Sequence, residues 1–328
     1  MVNNSIQMLT GKAFEYSILK EFKEKLNTIT NVEVVQNNAL EIAKNCFNEF
    51  EKQEQGRYLL TASFAVNFLM DIEPRLSNDL GKKDILQLEI LNDYQGQLGD
   101  VRDVLIIRVL QKWEIGISAK NNHKAVKHSR LSNDIDFGEK WLGVKCSQTY
   151  FDEVGLIFTP LKEIKIKSQS TQKWNTLKSK EDEVYVPILN AFKKELKRIY
   201  QASPKEIASH LIEYLVGNKD FYKVIKSKNI LEIQAYNLYG TLNIPFQNIE
   251  PKFKTPQINL PDKIVNIAFK ENSKTTLIVE FNNDWKLSFR IHNASSRIEP
   301  SLKFDINLLK TPNSLFVNKL SLPKEKIK

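Results

Sequence analysis

The chain has few of the residues that staple a small fold or anchor one to a membrane. Cysteine occurs twice in 328 residues, at Cys46 and Cys146. The two lie far apart, without a CxxC neighbour or a His pair at metal-ligand spacing. That excludes a disulfide-framed secreted module and a zinc ribbon, and both thiols are expected to be buried, reduced small hydrophobes. No apolar run approaches the roughly 20 residues that a spanning helix needs. MVNNSIQ at the start lacks the basic-then-apolar pattern of a signal peptide. A soluble, cytoplasmic protein without membrane contact is expected. No internal repeat is present, so a solenoid is excluded as well.

What the chain does have is an ordinary globular composition, 41% hydrophobic and 27% charged, with length enough for one large domain or two ordinary ones. Lysine and arginine number 48 against 39 acidic residues, a formal charge of +9. That sign favours a polyanionic partner without identifying one.

Apolar positions Phe14, Ile18, Leu19 and Phe22 recur at helical spacing and predict a helix over 9–26, with Glu15 one step round from the stripe. Similar patterns predict helices over 38–53 and 57–72, the latter ending near Pro74. Alternation over 85–91 suits a strand, and DYQGQLGD then reads as a loop. Val104 to Ile107 is an apolar, β-branched run suited to a central strand. In the next strand, 113–120, Ile115 and Ile117 face one way and Glu114, Gly116, Ser118 and Lys120 the other. A tight connection between these two strands implies an antiparallel hairpin. A basic helix is expected over 124–132, followed by Asp134, Asp136 and the aromatic pair Phe137 and Trp141. Residues 148–201 read as helical around a basic loop at 162–180, and Ser203-Pro204-Lys205-Glu206 starts another helix. After 229, short alternating segments broken by Asn, Pro and Lys predict a mainly β region, with Asn282-Asn283-Asp284 as a hairpin turn.

The densest chemistry lies between Gly99 and Trp141. An acidic residue at the mouth of one strand, Asp103, and a lysine on the neighbouring strand, Lys120, can face one pocket. There a carboxylate holds a divalent metal and an ammonium orients water, which is what phosphodiester hydrolysis needs. The spacing is that of the PD-(D/E)xK nuclease core, with one departure: the tripeptide is Ser118-Ala119-Lys120, so the second carboxylate is missing. Four acidic residues are candidates to replace it: Glu15, Glu114, Asp134 and Asp136. Glu114 is least favoured, because four residues of strand place it roughly 13 Å from position 118. Glu15 is preferred, with Asp134 next, and the Ala119 carbonyl is an expected further metal ligand beside Asp103.

Each of these has a plainer reading. Lys120 can be a solvated lysine at a strand end, Asp100 and Asp103 can close a turn, and Glu15 can be an ordinary surface residue. His123 and His128 sit five apart, on different faces of the expected helix, which argues against a metal pair. Asn121, Asn122, His123, Lys127, His128 and Arg130 are instead expected to contact DNA near the scissile bond, along with Lys124. A second cluster, Arg290, His292, Asn293, Ser295 and Ser296, suits the reading of G·C pairs in the major groove, where arginine bridges guanine O6 and N7. Equally, Arg290 can be an ion-paired strand residue and Asn293 a turn former. Lys303 and the basic loop are expected to meet backbone phosphates.

Five segments together resemble the HaeIII type of type II restriction endonucleases: GKAFEYSIL at 11–19, GDVRDVLI at 99–106, WEIGISAKNNHKAVKHSRLS at 113–132, IDFGEKW at 135–141 and LSFRIHNASS at 287–296. The similarity spans nearly the whole chain. It implies Mg2+-dependent cleavage of double-stranded DNA at GGCC, cutting blunt between G and C, with a cognate DNA methyltransferase as functional partner. The expected architecture is α/β: a PD-(D/E)xK-like mixed β-sheet core flanked by helices within 1–228, and a mainly β recognition region over 229–328. A palindromic target favours a homodimer. Two other classes stay open: a sequence-specific DNA-binding module without catalysis, and a helical interaction protein whose strand lysine is incidental.

Overall fold

The computed structural model describes residues 6–78, 84–92, 94, 99–121 and 125–323, the side chains of 125–128 excepted. Two compact units are each assembled from separate stretches of chain. Unit 1 comprises Met1–His123, Gly217–Ile258 and Ser314–Lys328, and unit 2 comprises Lys124–Val216 and Asn259–Asn313. The position 228/229 falls within a hairpin of unit 1.

Unit 1 begins with helix α1 (Ile6–Leu26), strand β1 (Asn31–Val34), and helices α2 (Asn38–Asn48) and α3 (Lys52–Ile72). Asn37 caps α2, its side chain accepting from Leu40 N at 2.9 Å. Strands β2 (Ile85–Ile90), β3 (Val104–Arg108) and β4 (Trp113–Asn121) follow. Three more strands join this sheet from later in the chain: β6 (Phe221–Lys226), β7 (Ile230–Tyr236) and β12 (Phe316–Ser321). The seven-stranded order is β1-β2-β3-β4-β6-β7-β12. Its β1–β2 and β4–β6 pairs are parallel and the others antiparallel, so the sheet is mixed.

Alternation divides the faces of this sheet. Trp113, Ile115, Ile117 and Ala119 of β4, Tyr222 and Val224 of β6, and Leu231, Ile233 and Ala235 of β7 join one hydrophobic core with Phe14, Ile18 and Phe22 of α1 and Ala62, Val66 and Leu69 of α3. Their neighbours along each strand face the other way. Strands β1, β6 and β12 lie outside the sequence expectation; each is short and is fixed by pairing with a partner distant in sequence.

Unit 2 holds β5 (Ala125–Leu131), helices α4 (Phe137–Leu142), α5 (Gln148–Lys167), α6 (Val186–Ala202) and α7 (Pro204–Val216), and strands β8 (Ile264–Phe269), β9 (Thr276–Phe281), β10 (Lys286–His292) and β11 (Leu302–Lys310). Its five-stranded sheet has the order β5-β11-β10-β9-β8 and is antiparallel throughout. Asn283 and Asp284 both adopt positive φ, 56° and 64°, as the two-residue β9–β10 hairpin requires. Phe289 and Phe304 pack against Phe192 of α6 at ring distances of 5.8 and 5.2 Å, giving the sheet one apolar face.

One expectation is overturned here. Residues 125–131 form the strand β5 rather than a basic helix, pairing Leu131 with Leu302 and Ser129 with Phe304. Val126 and Ser129 of this stretch are modest helix formers, and the open edge of β11 offers a backbone ladder that outweighs local preference. The argument that His123 and His128 lie on different helix faces falls with the helix. Among the described residues, no helix is long and apolar enough to cross a membrane.

Candidate active site

Asp103 stands immediately before β3, held by the sheet on both sides. Its N–H donates to the Ile117 carbonyl at 2.8 Å, and its own carbonyl accepts from Leu91 N at 3.0 Å. Its Oδ2 gathers three donors from β4: Ala119 N at 2.7 Å, Lys120 Nζ at 2.9 Å and Ser118 Oγ at 3.3 Å. Oδ1 accepts no hydrogen bond among the described residues. The structure therefore brings together Asp103, Ser118, Ala119 and Lys120. Both ends of the Asp103–Lys120 ion pair remain partly open to solvent.

Glu15 lies on the inward side of α1, only 6% exposed. This removes the surface-residue reading. Its Oε2 accepts from Lys12 Nζ at 2.9 Å. Burial, and then the charge of Asp103, push its carboxyl up to about 8 against the opposing pull of Lys12 and Lys120. A buried acid held near another carboxylate is poorly compensated by the protein alone.

The other acidic candidates have different surroundings. Glu114 is 42% exposed at its side chain and pairs with Arg102 Nη1 at 2.8 Å. Asp100 grips the rest of the same guanidinium, with Nε at 2.8 Å and Nη2 at 2.7 Å. The stem of Arg102 crosses β4 at Gly116, where an added Cβ would lie 1.9 Å from Arg102 Cδ. Gly116 is thus required by this crossing, and Asp100 and Glu114 are committed to the brace. Asp136 caps α4, accepting from Glu139 N at 2.9 Å and Cys146 N at 3.1 Å. Although burial acts to raise its carboxyl, these donors hold it below the usual range. Asp134 belongs to unit 2, where its N–H donates to Ser132 Oγ at 3.2 Å.

Lys223 is a residue that sequence reasoning missed. It sits on β6 directly beside Ser118 in the parallel pairing, so the two side chains share a face with Lys120. It is 6% exposed. Burial, followed by the like charge of Lys120, pulls its ammonium down to about 8, with Glu232 and Asp103 acting the other way. The strand-like texture of Phe221–Lys226, with a lysine between Tyr222 and Val224, was the available signal.

In unit 2 the expected DNA-contacting residues collect on the second sheet. Register places Arg130, Lys303 and His292 in one cross-strand row, and His128, Asp305 and Arg290 in the next. Arg130 Nη1 meets Ser301 Oγ at 2.8 Å and Glu299 Oε2 at 3.4 Å. Arg290 is 58% exposed at its side chain and pairs with Asp305 at 2.7 Å, the ion-paired arrangement foreseen as its plainer reading. His292 Nδ1 meets the Asn293 carbonyl at 2.9 Å. Its Nε2 lies 3.0 Å from Asp305 Oδ2 without hydrogen-bond alignment.

The side-chain oxygen of Asn293 accepts from Tyr185 OH at 2.8 Å and Lys180 Nζ at 3.4 Å, and its amide reaches the Ser295 carbonyl. Ser295 Oγ donates to the Arg297 carbonyl at 3.0 Å, and the Ser296 carbonyl accepts from Trp174 N. Asn121 ends β4 half-buried. Asn122, His123 and Lys124 lie outside the described residues, as do the side chains of Lys127 and His128.

A family model for the HaeIII restriction endonuclease matches residues 11–312. The chain belongs to the HaeIII restriction endonuclease family. It is 39% identical over 307 residues to the type II restriction enzyme HaeIII of Haemophilus aegyptius, covering 93% of this chain and 95% of that protein. No solved structure matches.

Membership of the HaeIII restriction endonuclease family raises the question of whether these residues fit a divalent metal. Among the described residues, no group of three or more His, Cys, Asp or Glu side chains is gathered at one point. The donor set is instead two carboxylates, Asp103 and Glu15, with the Ala119 carbonyl on the adjoining strand. These are hard oxygen donors, and burial, followed by the charge of Asp103, raises the Glu15 carboxyl, so a cation bound beside it would favour its ionised form. Both features suit a hard cation that binds through few carboxylates.

Proposed function

We propose that this protein is a type II site-specific deoxyribonuclease that hydrolyses phosphodiester bonds of double-stranded DNA through a PD-(D/E)xK-like centre. The observation that carries the reading is the convergence of Ala119 N–H, Lys120 Nζ and Ser118 Oγ on one oxygen of Asp103, beside the buried Glu15. Asp103, Glu15 and the Ala119 carbonyl would hold Mg2+. When bound, such an ion neutralises the phosphate and favours ionisation of water. Lys120 orients the attacking water and steadies developing charge. Ser118 stands where a second carboxylate usually lies and steers Asp103 instead, so Glu15 supplies the missing acid.

The polar face of the five-stranded sheet carries Arg130, Lys303, His292 and Arg290, and we assign it to DNA contact, with Arg290 as the candidate guanine reader. Asn293, Ser295 and Ser296 shape the turn that follows β10, and their role is to present His292 and Arg290. The target GGCC, a blunt cut and a protecting methyltransferase are supported by resemblance to the HaeIII type, while a palindromic target would suit a homodimer, or a monomer that acts twice, and a DNA substrate would suit a cytoplasmic site of action. A DNA-binding module without catalysis is less favoured, since Asp103 and Lys120 stand in contact at 2.9 Å.

Incubating the protein with unmethylated plasmid and Mg2+ tests the reading. The expected result is a discrete ladder whose ends map to GGCC. Salt-sensitive binding without cutting would restore the non-catalytic module, and neither binding nor cutting would leave only an interaction protein.

A further inference from the structure

Lys223 is more deeply buried than either member of the Asp103–Lys120 pair. Among the described residues its ammonium makes no hydrogen bond or ion pair, and Nζ keeps a small opening to solvent through which an anion could reach it. Such a group is costly to keep out of water unless an anion completes it. Its carbon stem does not carry the charge to a carboxylate: Glu232, on the neighbouring β7, pairs with Lys319 instead. The parallel register sets Lys223 beside Ser118, on the face that also bears Lys120.

A carboxylate at 118 would stand next to this ammonium and neutralise it. With serine there, the charge stays available. The missing carboxylate on β4 and the lysine set beside it on β6 are therefore complementary.

We propose that Lys223 is a phosphate-binding catalytic residue, whose ammonium meets a non-bridging oxygen of the scissile DNA phosphate. The assignment rests on the endonuclease reading for the identity of that phosphate. Lys120 then serves the water and Lys223 serves the phosphate, and the charge on the transferring group is met by a preorganised cation that the protein itself supplies.

The test uses the full chain and the variants Lys223→Met and Lys223→Arg, with a duplex carrying GGCC or the site mapped from the plasmid ladder. The scissile phosphate is either an ordinary diester or a neutral methylphosphonate, and binding is measured without divalent metal, so that no metal-held phosphate enters the comparison. The wild type should prefer the diester by about tenfold, the worth of one charge-assisted hydrogen bond. Lys223→Met should bind both duplexes alike, and Lys223→Arg should keep the preference. In single-turnover cleavage with Mg2+, Lys223→Met should slow by about 100-fold and Lys223→Arg should recover part of the rate. The thermal midpoint of Lys223→Met should not fall, because no partner of the ammonium is lost and the methionine stem fills the same place.

A Lys223→Met protein that keeps the diester preference, or cleaves at the wild-type rate, overturns the assignment. So does a lowered midpoint with both duplexes weakened equally, which would mark a structural lysine. A wild type that prefers the diester but never cleaves removes the endonuclease reading and leaves Lys223 as an anion site. A wild type that binds no duplex removes both.

Discussion

Glu15 in unit 1 and Glu195 in unit 2 are buried to nearly the same degree, 6% and 4% exposed, yet their carboxyls are driven in opposite directions. Glu195 accepts from Ser147 N at 2.6 Å, Ser147 Oγ at 2.8 Å, and Arg198 Nε and Nη2 at 3.0 and 2.7 Å. Burial acts to raise its carboxyl, but these donors outweigh it and hold the group below the ordinary range. Among the described residues Glu15 accepts only from Lys12, and burial, followed by the charge of Asp103, raises it to about 8. Burial alone therefore does not set the direction in which a carboxyl is driven. What decides it is how fully the protein completes the group's hydrogen bonding, and an acid left incomplete is the better candidate for a binding role.

Substitutions in the two units should accordingly fail in different ways. The largest effect is expected at Asp103→Ala and Lys120→Ala, which should lower cleavage by roughly 1000-fold or more while specific binding in Ca2+ survives. Retained cutting by either variant would remove that residue from the mechanism. Glu15→Gln should cut at least about 100-fold more slowly without loss of thermal stability. Glu195→Gln should instead cost about 2–3 kcal/mol in denaturant unfolding, with activity per folded molecule unchanged. If the two variants exchange these outcomes, the contrast between them is broken. Asp134→Ala cutting normally alongside an inactive Glu15→Gln would fix the third acidic ligand.

Glu73 provides a purely structural control within unit 1. It is buried, accepts from Tyr222 OH and from Asn243 N at 2.7 Å, and burial raises its carboxyl from 4.5 to about 7. Because the folded value lies above the unfolded one, its stabilisation is full below pH 4.5 and is lost as pH rises through 7. Stability measured relative to Glu73→Gln should therefore decline by on the order of 2–3 kcal/mol between pH 4.5 and 7 and then level off. A flat difference across that window would show that the acid is not held protonated. The smallest effect is expected at Arg290→Ala, which should reduce the preference for GGCC by about 1–2 kcal/mol in competition binding. An unchanged preference would leave Arg290 as a strand residue paired with Asp305.

The elements that carry chemistry were legible where pattern and packing agree. The alternation of Ile115 and Ile117 against Ser118 and Lys120 placed β4 and assigned its faces correctly, and the apolar run after Asp103 placed β3. Helix α1 appeared with its buried stripe, and Ser203-Pro204 marked the start of α7. The strand β5 was misread because His, Ser, Arg and Lys carry little periodic information of their own. Its conformation follows from pairing with β11, some 170 residues further on. The strand β6 was passed over for the same reason, and Lys223 with it. Arg102 was not singled out either, since nothing in VRD announces that the arginine crosses Gly116 to bind two carboxylates.

By itself, then, the sequence determined which residue types were available for the reaction and, through strand and helix periods, which face most of them take. It also displayed the gap at Ser118. Only the tertiary structure decided what surrounds that gap. Glu15 is buried because α1 packs its inward side against the sheet, and Lys223 lies beside Ser118 because β6 pairs in parallel with β4 across about 100 residues of intervening chain. Those placements follow from long-range burial and ladder formation, which no local window of sequence encodes.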